Sequence, residues 1–121
     1  MKKICIVEDE SSLLEMYKLK FETEGYQVIT ASDGQAGLAA IKESQPDLVL
    51  LDLVMPRMDG YQVLQALRAD PKTSKLVVYI FSNLGQGSEI EKGMAEGASG
   101  YFVKSSLTPS ELALEVKKIL K

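Results

Sequence analysis

A chain of 121 residues is the size of one domain, long enough to bury about two thirds of its unfolded surface around a single core. Its 45% apolar and 26% charged residues exclude a disordered chain, and no run nears the roughly 20 apolar residues of a bilayer span. A net charge of -3 with scattered basic residues argues against direct binding to nucleic acid or membrane. The absence of histidine removes histidine acid-base chemistry, histidine-dependent nucleophile triads and the commonest zinc ligand together.

The first apolar run, Lys3 to Val7, predicts a strand and is too short for a secretory signal, so a cytoplasmic location is expected. Cys5 inside it reads as a small buried hydrophobe, not as half of a disulfide. Ser11 and Ser12 read as the cap of a helix with Leu13, Leu14, Tyr17 and Phe21 on one face, stopped by Gly25. A strand over Gln27 to Ala31 leads to a helix from about Gly34 to Ser44, and Pro46 precedes a strand over Leu48 to Leu51. Residues 61 to 69 predict a third helix, closed by Asp70-Pro71. Leu76 to Phe81 is the fourth strand. Ser88 and Glu91 have the spacing of a capping box for a short helix reaching Glu96. Gly100 to Val103 is the fifth strand, and Thr108, Pro109 and Glu111 open a last helix facing inward with Leu112, Val116, Ile119 and Leu120. Lys117, Lys118 and Lys121 complement the dipole of that helix.

Five alternations of strand and helix, with no linker or repeat, predict an α/β fold with a doubly wound parallel sheet. In such a sheet ligands bind beyond the carboxyl ends of the strands. The first strand ends on Glu8-Asp9, the third on Asp52, the fourth on Ser82-Asn83 and the fifth on Lys104. Each is bland alone, since a carboxylate after a strand is often only a loop residue. Together they bring an acidic pair, an acid, a hydroxyl and an ammonium to one edge. Crowded carboxylates repel one another unless a cation joins them, and an oxygen-only donor set suits Mg2+. With a cation on either side, Asp52 is a nucleophile that needs no general base, and a carboxylate attacking phosphorus forms an aspartyl phosphate. Asp59 reads as a turn or cap residue outside the site.

Glu8-Asp9, Asp52 within "DLVMPRMDG", Ser82 and Lys104 closely resemble the receiver domain of two-component response regulators, over essentially the whole chain. The resemblance implies a flavodoxin-like (βα)5 fold with strand order 2-1-3-4-5 and one receiver domain over residues 1 to 121. It implies Asp52 as phosphoacceptor, Mg2+ held by Glu8, Asp9, Asp52 and the backbone carbonyl of Val54, and Lys104 as the phosphate-binding lysine. Ser82 would be the switching hydroxyl and Tyr101 the aromatic that changes position. The implied role is a signalling domain that assists its own phosphorylation, not an enzyme. Its partners would be a sensor histidine kinase or histidine phosphotransfer protein and a downstream output protein or domain. Whether the chain stands alone or belongs to a longer protein is left open by the sequence.

Three positions depart from the family pattern: Ser105 where proline in a cis bond is usual, Asn83 where a very small residue is preferred, and serine for threonine at 82. The loop after Lys104 is therefore expected to differ and access to the site to be narrower. Val54 and Leu84, two residues beyond Asp52 and Ser82, are positions from which a side chain would orient a hydrolytic water. Neither can hydrogen-bond, so a long-lived phosphorylated state is expected. A phosphatase of the haloacid dehalogenase type is disfavoured because Val54 stands where its second aspartate would be. A flavin-binding protein lacks a suitable phosphate-cradling loop here, and the intact polar set argues against an inert interaction module.

Overall fold

The computed structural model describes residues 1–83 and 87–121. Five strands, β1 (Lys3–Val7), β2 (Gln27–Ala31), β3 (Leu48–Leu51), β4 (Val78–Ser82) and β5 (Gly100–Val103), form one parallel sheet in the order β2-β1-β3-β4-β5. Between and after them run α1 (Ser11–Thr23), α2 (Gly34–Ser44), α3 (Gly60–Ala69), α4 (Gly87–Ala95) and α5 (Pro109–Leu120). The order reverses direction at β1, where β2 lies on one side and β3 on the other, which opens a crevice at the carboxyl ends of β1 and β3.

Alternating side chains explain the two layers of helices. Ile4, Ile6, Leu48 and Leu50 enter one cluster with Leu14, Tyr17 and Phe21 of α1 and Leu112 and Val116 of α5. Cys5, Val7, Val49 and Leu51 enter the other with Ile41 of α2 and Val63, Leu64 and Leu67 of α3. Because both faces are covered, β1 and β3 read as unbroken apolar runs. Cys5 is fully buried, and burial pushes its thiol up to about 12, as expected of a residue that only packs.

Three expectations need correction. The fourth strand begins at Val78, not Leu76, because the Leu76 N–H closes a turn onto the Thr73 carbonyl at 3.1 Å. Arg68 fixes that turn, donating to the Thr73, Ser74 and Gly97 carbonyls at 3.2, 3.1 and 2.9 Å. The first helix starts at Ser11 with Glu10 as its N-cap, and Glu10 makes no side-chain cap bond; its carboxylate accepts the Ser12 hydroxyl instead. Ser88 lies inside α4 and donates to Glu89 at 3.0 Å, so it is not the cap of that helix. The expected box at the last helix is present, with Thr108 and Glu111 bonding each other's backbone N–H.

The turn from β3 into α3 passes close behind the crevice. Arg57 takes a left-handed φ of 69° there, and its guanidinium reaches Asp33, the N-cap of α2, at 2.9 Å. Asp59 caps α3 in a reciprocal box with Gln62, the cap role read from the sequence. At Gly60 the backbone of α3 approaches so closely that an added Cβ would collide with the Asp52 carbonyl and lie 2.8 Å from Leu53 Cα. Gly60→Ala is therefore expected to lower stability by about 2 kcal/mol, the scale of forced overpacking, read as a lower midpoint in urea unfolding. An unchanged midpoint would mean that α3 gives way without cost.

Candidate functional site at the carboxyl edge of the sheet

Backbone hydrogen bonds carry the sheet one residue past β1 and β3. The Glu8 N–H donates to the Ala31 carbonyl and the Asp52 N–H to the Val7 carbonyl, both at 3.0 Å. Ser82 is itself in β4, in register with Val103. All three candidate side chains thus spring from backbone held by the sheet. Lys104 opens a 3-10 turn, Lys104–Ser106, directly after β5, with no cis peptide bond among the described residues.

These groups converge. Glu8 is 2% exposed, Ser82 3% and Asp52 8%. The Lys104 ammonium bonds a Glu8 carboxylate oxygen and stands 3.3 Å from Asp52 Oδ2. The second Glu8 oxygen accepts the Glu10 N–H at 3.0 Å, and Asp52 Oδ1 faces the Val54 N–H at a long 3.5 Å. The Phe81 ring lies 5.5 Å from the ammonium. Asp9 is exposed at the mouth.

Burial pushes the Glu8 carboxyl up, and the Lys104 hydrogen bond pulls it back. Burial alone would pull the Lys104 ammonium down; its hydrogen bond to Glu8 and the charges of Asp52 and Glu8 outweigh that, so the net direction is up. An ammonium raised in this way contributes stability below its ordinary value, lost as pH rises through the folded-state one.

Glu8, Asp9 and Asp52 each bring a carboxylate oxygen within 4.8 Å of the others'. One ammonium among three carboxylates leaves an excess of two negative charges, which a divalent cation balances. An oxygen-only set with one exposed member and an open cleft, of about 460 Å³, fits Mg2+, which keeps several waters. Val54 and Asn83 line the same cleft. Glu10 and Leu13 line it too, and sequence reasoning missed both. Glu10 is signalled only as a third acid after β1, and Leu13 only as the first apolar residue of α1. Tyr101 stands apart from this group: it lies on β5 in register with Ile80, 46% exposed. Leu84 falls outside the described residues.

Comparison with known proteins agrees with the fold. The family model of the response regulator receiver domain matches residues 4–117. The chain is 36% identical over 119 residues to the phosphate regulon transcriptional regulatory protein PhoB of Rhizobium meliloti, covering 98% of this chain and 52% of that one. It is 37% identical over 122 residues to the alkaline phosphatase synthesis transcriptional regulatory protein PhoP of Bacillus subtilis, covering 99% and 49%. The chain thus spans about half the length of the curated relatives it matches. The chemotaxis protein CheY4 of Vibrio cholerae, known at high resolution, superposes with a TM-score of 0.91 at 28% identity, covering 99% of both chains. With its five parallel strands, its acidic cluster facing a lysine and this match over nearly its whole length, the chain belongs to the family of response regulator receiver domains of two-component signalling.

Proposed function

We propose that Asp52 accepts a phosphoryl group from phosphohistidine on a partner protein, a sensor histidine kinase or a histidine phosphotransfer protein. The observation that carries this reading is a nearly buried carboxylate on sheet-held backbone, 3.3 Å from an ammonium and inside a cluster of three carboxylates. An Asp52 carboxylate oxygen forms the new bond to phosphorus, the phosphorus–nitrogen bond of the donor breaks, and the imidazole nitrogen keeps the electron pair. Glu8, Asp9 and Asp52, with the Val54 carbonyl, would hold Mg2+, which when bound supplies positive charge beside the phosphoryl oxygens. Lys104 and the Ser82 hydroxyl bind those oxygens as charge spreads over them.

The same bonds bias a switch. The phosphoryl group can favour one conformation only by the difference in its bonds to Ser82 and Lys104 between the two states. Tyr101 changes position with that switch, and the surface of α4, β5 and α5 passes the signal to an output protein or domain. On this reading residues 1 to 121 form one receiver domain, cytoplasmic, which assists its own phosphorylation and turns over no separate substrate.

Incubation with acetyl phosphate and Mg2+ is expected to add one phosphoryl group by intact mass, lost in Asp52→Asn and on chelation of the metal. Persistence of the label in that variant refutes the assignment. Amide exchange over α4 and β5 is expected to change when a phosphoryl mimic is bound; identical exchange in both states removes the proposed output surface.

Val54 is 61% exposed at the rim and offers attacking water no hydrogen bond. Val54→Asn, alone or with Leu84→Glu, is expected to speed loss of the label after donor removal, by about tenfold if a positioned water lowers the barrier by roughly 1.4 kcal/mol. Equal decay in the unaltered protein and both variants shows that these side chains do not control hydrolysis.

A further inference from the structure

Asn83 makes a hydrogen bond that the chemistry above does not use. Its Oδ1 accepts the backbone N–H of Ser105 at 2.9 Å. Parallel pairing between β4 and β5 ends at Ser82 and Val103, so this bond continues the contact between the two chain segments with a side chain in place of a backbone carbonyl. Asn83 follows Ser82, and Ser105 follows Lys104. One bond therefore joins the residues next to both groups assigned to the phosphoryl oxygens.

The donor is an amide proton, so the acceptor must be the carboxamide oxygen, and the orientation of the Asn83 side chain is fixed by its partner. The N–H that it holds belongs to the peptide unit whose carbonyl comes from Lys104. That carbonyl accepts the Leu107 N–H at 3.4 Å. The plane of the Lys104–Ser105 peptide is thus restrained on both sides, by Asn83 across the cleft rim and by the 3-10 turn below. A lysine stem has several rotatable bonds, and where its ammonium can reach depends on where its backbone is held.

We infer that Asn83 is a positioning residue for Lys104, clasping the loop after β5 to the end of β4 so that the ammonium and the Ser82 hydroxyl keep a common frame. This deepens the proposed phosphoryl transfer and rests on it. The clasp itself is tested without any phosphoryl donor. Asn83 and Ser105 are both exposed, so substitutions there leave the core intact.

Exchange of the Ser105 amide is measured by NMR in the unaltered protein, Asn83→Ala and Asn83→Asp. Asn83→Ala is expected to speed it about fivefold, the equivalent of one neutral hydrogen bond, while Asn83→Asp, which keeps an acceptor oxygen, retains protection. Uptake of label from acetyl phosphate with Mg2+ is then followed against donor concentration. Asn83→Ala is expected to lower the maximal rate about fivefold and leave the half-saturating concentration unchanged. Ser105→Pro removes the donor N–H, so in that background Asn83→Ala is expected to lower the rate no further. Proline also restricts Lys104, so Asn83→Ala carries the result.

Unchanged Ser105 exchange in Asn83→Ala overturns the clasp. Faster uptake in Asn83→Ala shows that Asn83 only narrows the cleft and overturns the positioning role. If the unaltered protein takes no label while Ser105 exchange still responds to Asn83, the assignment of Asp52 has failed, and the role of Asn83 toward Lys104 in that chemistry falls with it.

Discussion

One ammonium between two buried carboxylates governs the carboxyl edge of this sheet. Glu8 and Asp52 end neighbouring strands, and each is withdrawn from water almost completely. A buried carboxylate without a partner costs several kcal/mol, and two side by side also repel. Lys104 answers both from the far side of β4. With strands about 4.8 Å apart, β5 lies roughly 10 Å from β3 and 14 Å from β1, so only a long side chain can span the gap. Glutamate at position 8 covers part of the distance from the other direction. The residue beneath that path, at the end of β4, is the small Ser82. The strand order therefore favours a long side chain at 104 and at 8 and a small one at 82.

The balance is incomplete by design of the residues themselves. Three carboxylates cluster beside one ammonium that bonds two of them, so the cleft stays negative and favours a divalent cation over an anion as first occupant. On the proposed reading, a phosphoryl group on Asp52 would replace that carboxylate as a partner of Lys104 and compete with Glu8 for the ammonium. Its arrival would redistribute the bonds of that lysine, and this redistribution would be a source of free energy for a conformational change. Held backbone limits where the change can go: β1, β3 and β4 lie inside the sheet, whereas β5 is an edge strand followed by a short 3-10 turn.

Most of this was legible in the residues. Ile4 to Val7 and Leu48 to Leu51 are apolar on both faces, which demanded a sheet covered on both sides, and the polar groups after each strand marked one edge. Strand order was not readable from periodicity, because any right-handed arrangement of five units buries the same runs; it came with the family resemblance. The start of β4 differs because Leu76 is as apolar as the strand it precedes, while the bonds that exclude it come from Arg68 and Thr73, whose backbone partners carry no signal in the sequence. The caps of α1 and α4 failed for a related reason. Serine before an apolar run is a cap only if the helix starts there, and Ser11 and Ser88 each lie within the helix.

Asn83 and Ser105 show a deeper limit of sequence reading. In the chain they are two unrelated departures from the family pattern, 22 residues apart, one bulky where a small residue is usual and one lacking a ring where proline is usual. In the fold they are acceptor and donor of one bond. A proline after the lysine would order that loop by restricting backbone rotation, and it could not donate a hydrogen bond. Serine surrenders the ring's restraint but supplies an N–H, and asparagine at the end of the neighbouring strand takes it up. Small residues at 83 suit a loop that orders itself. A side chain that reaches across suits a loop held from outside, so the two departures are physically complementary.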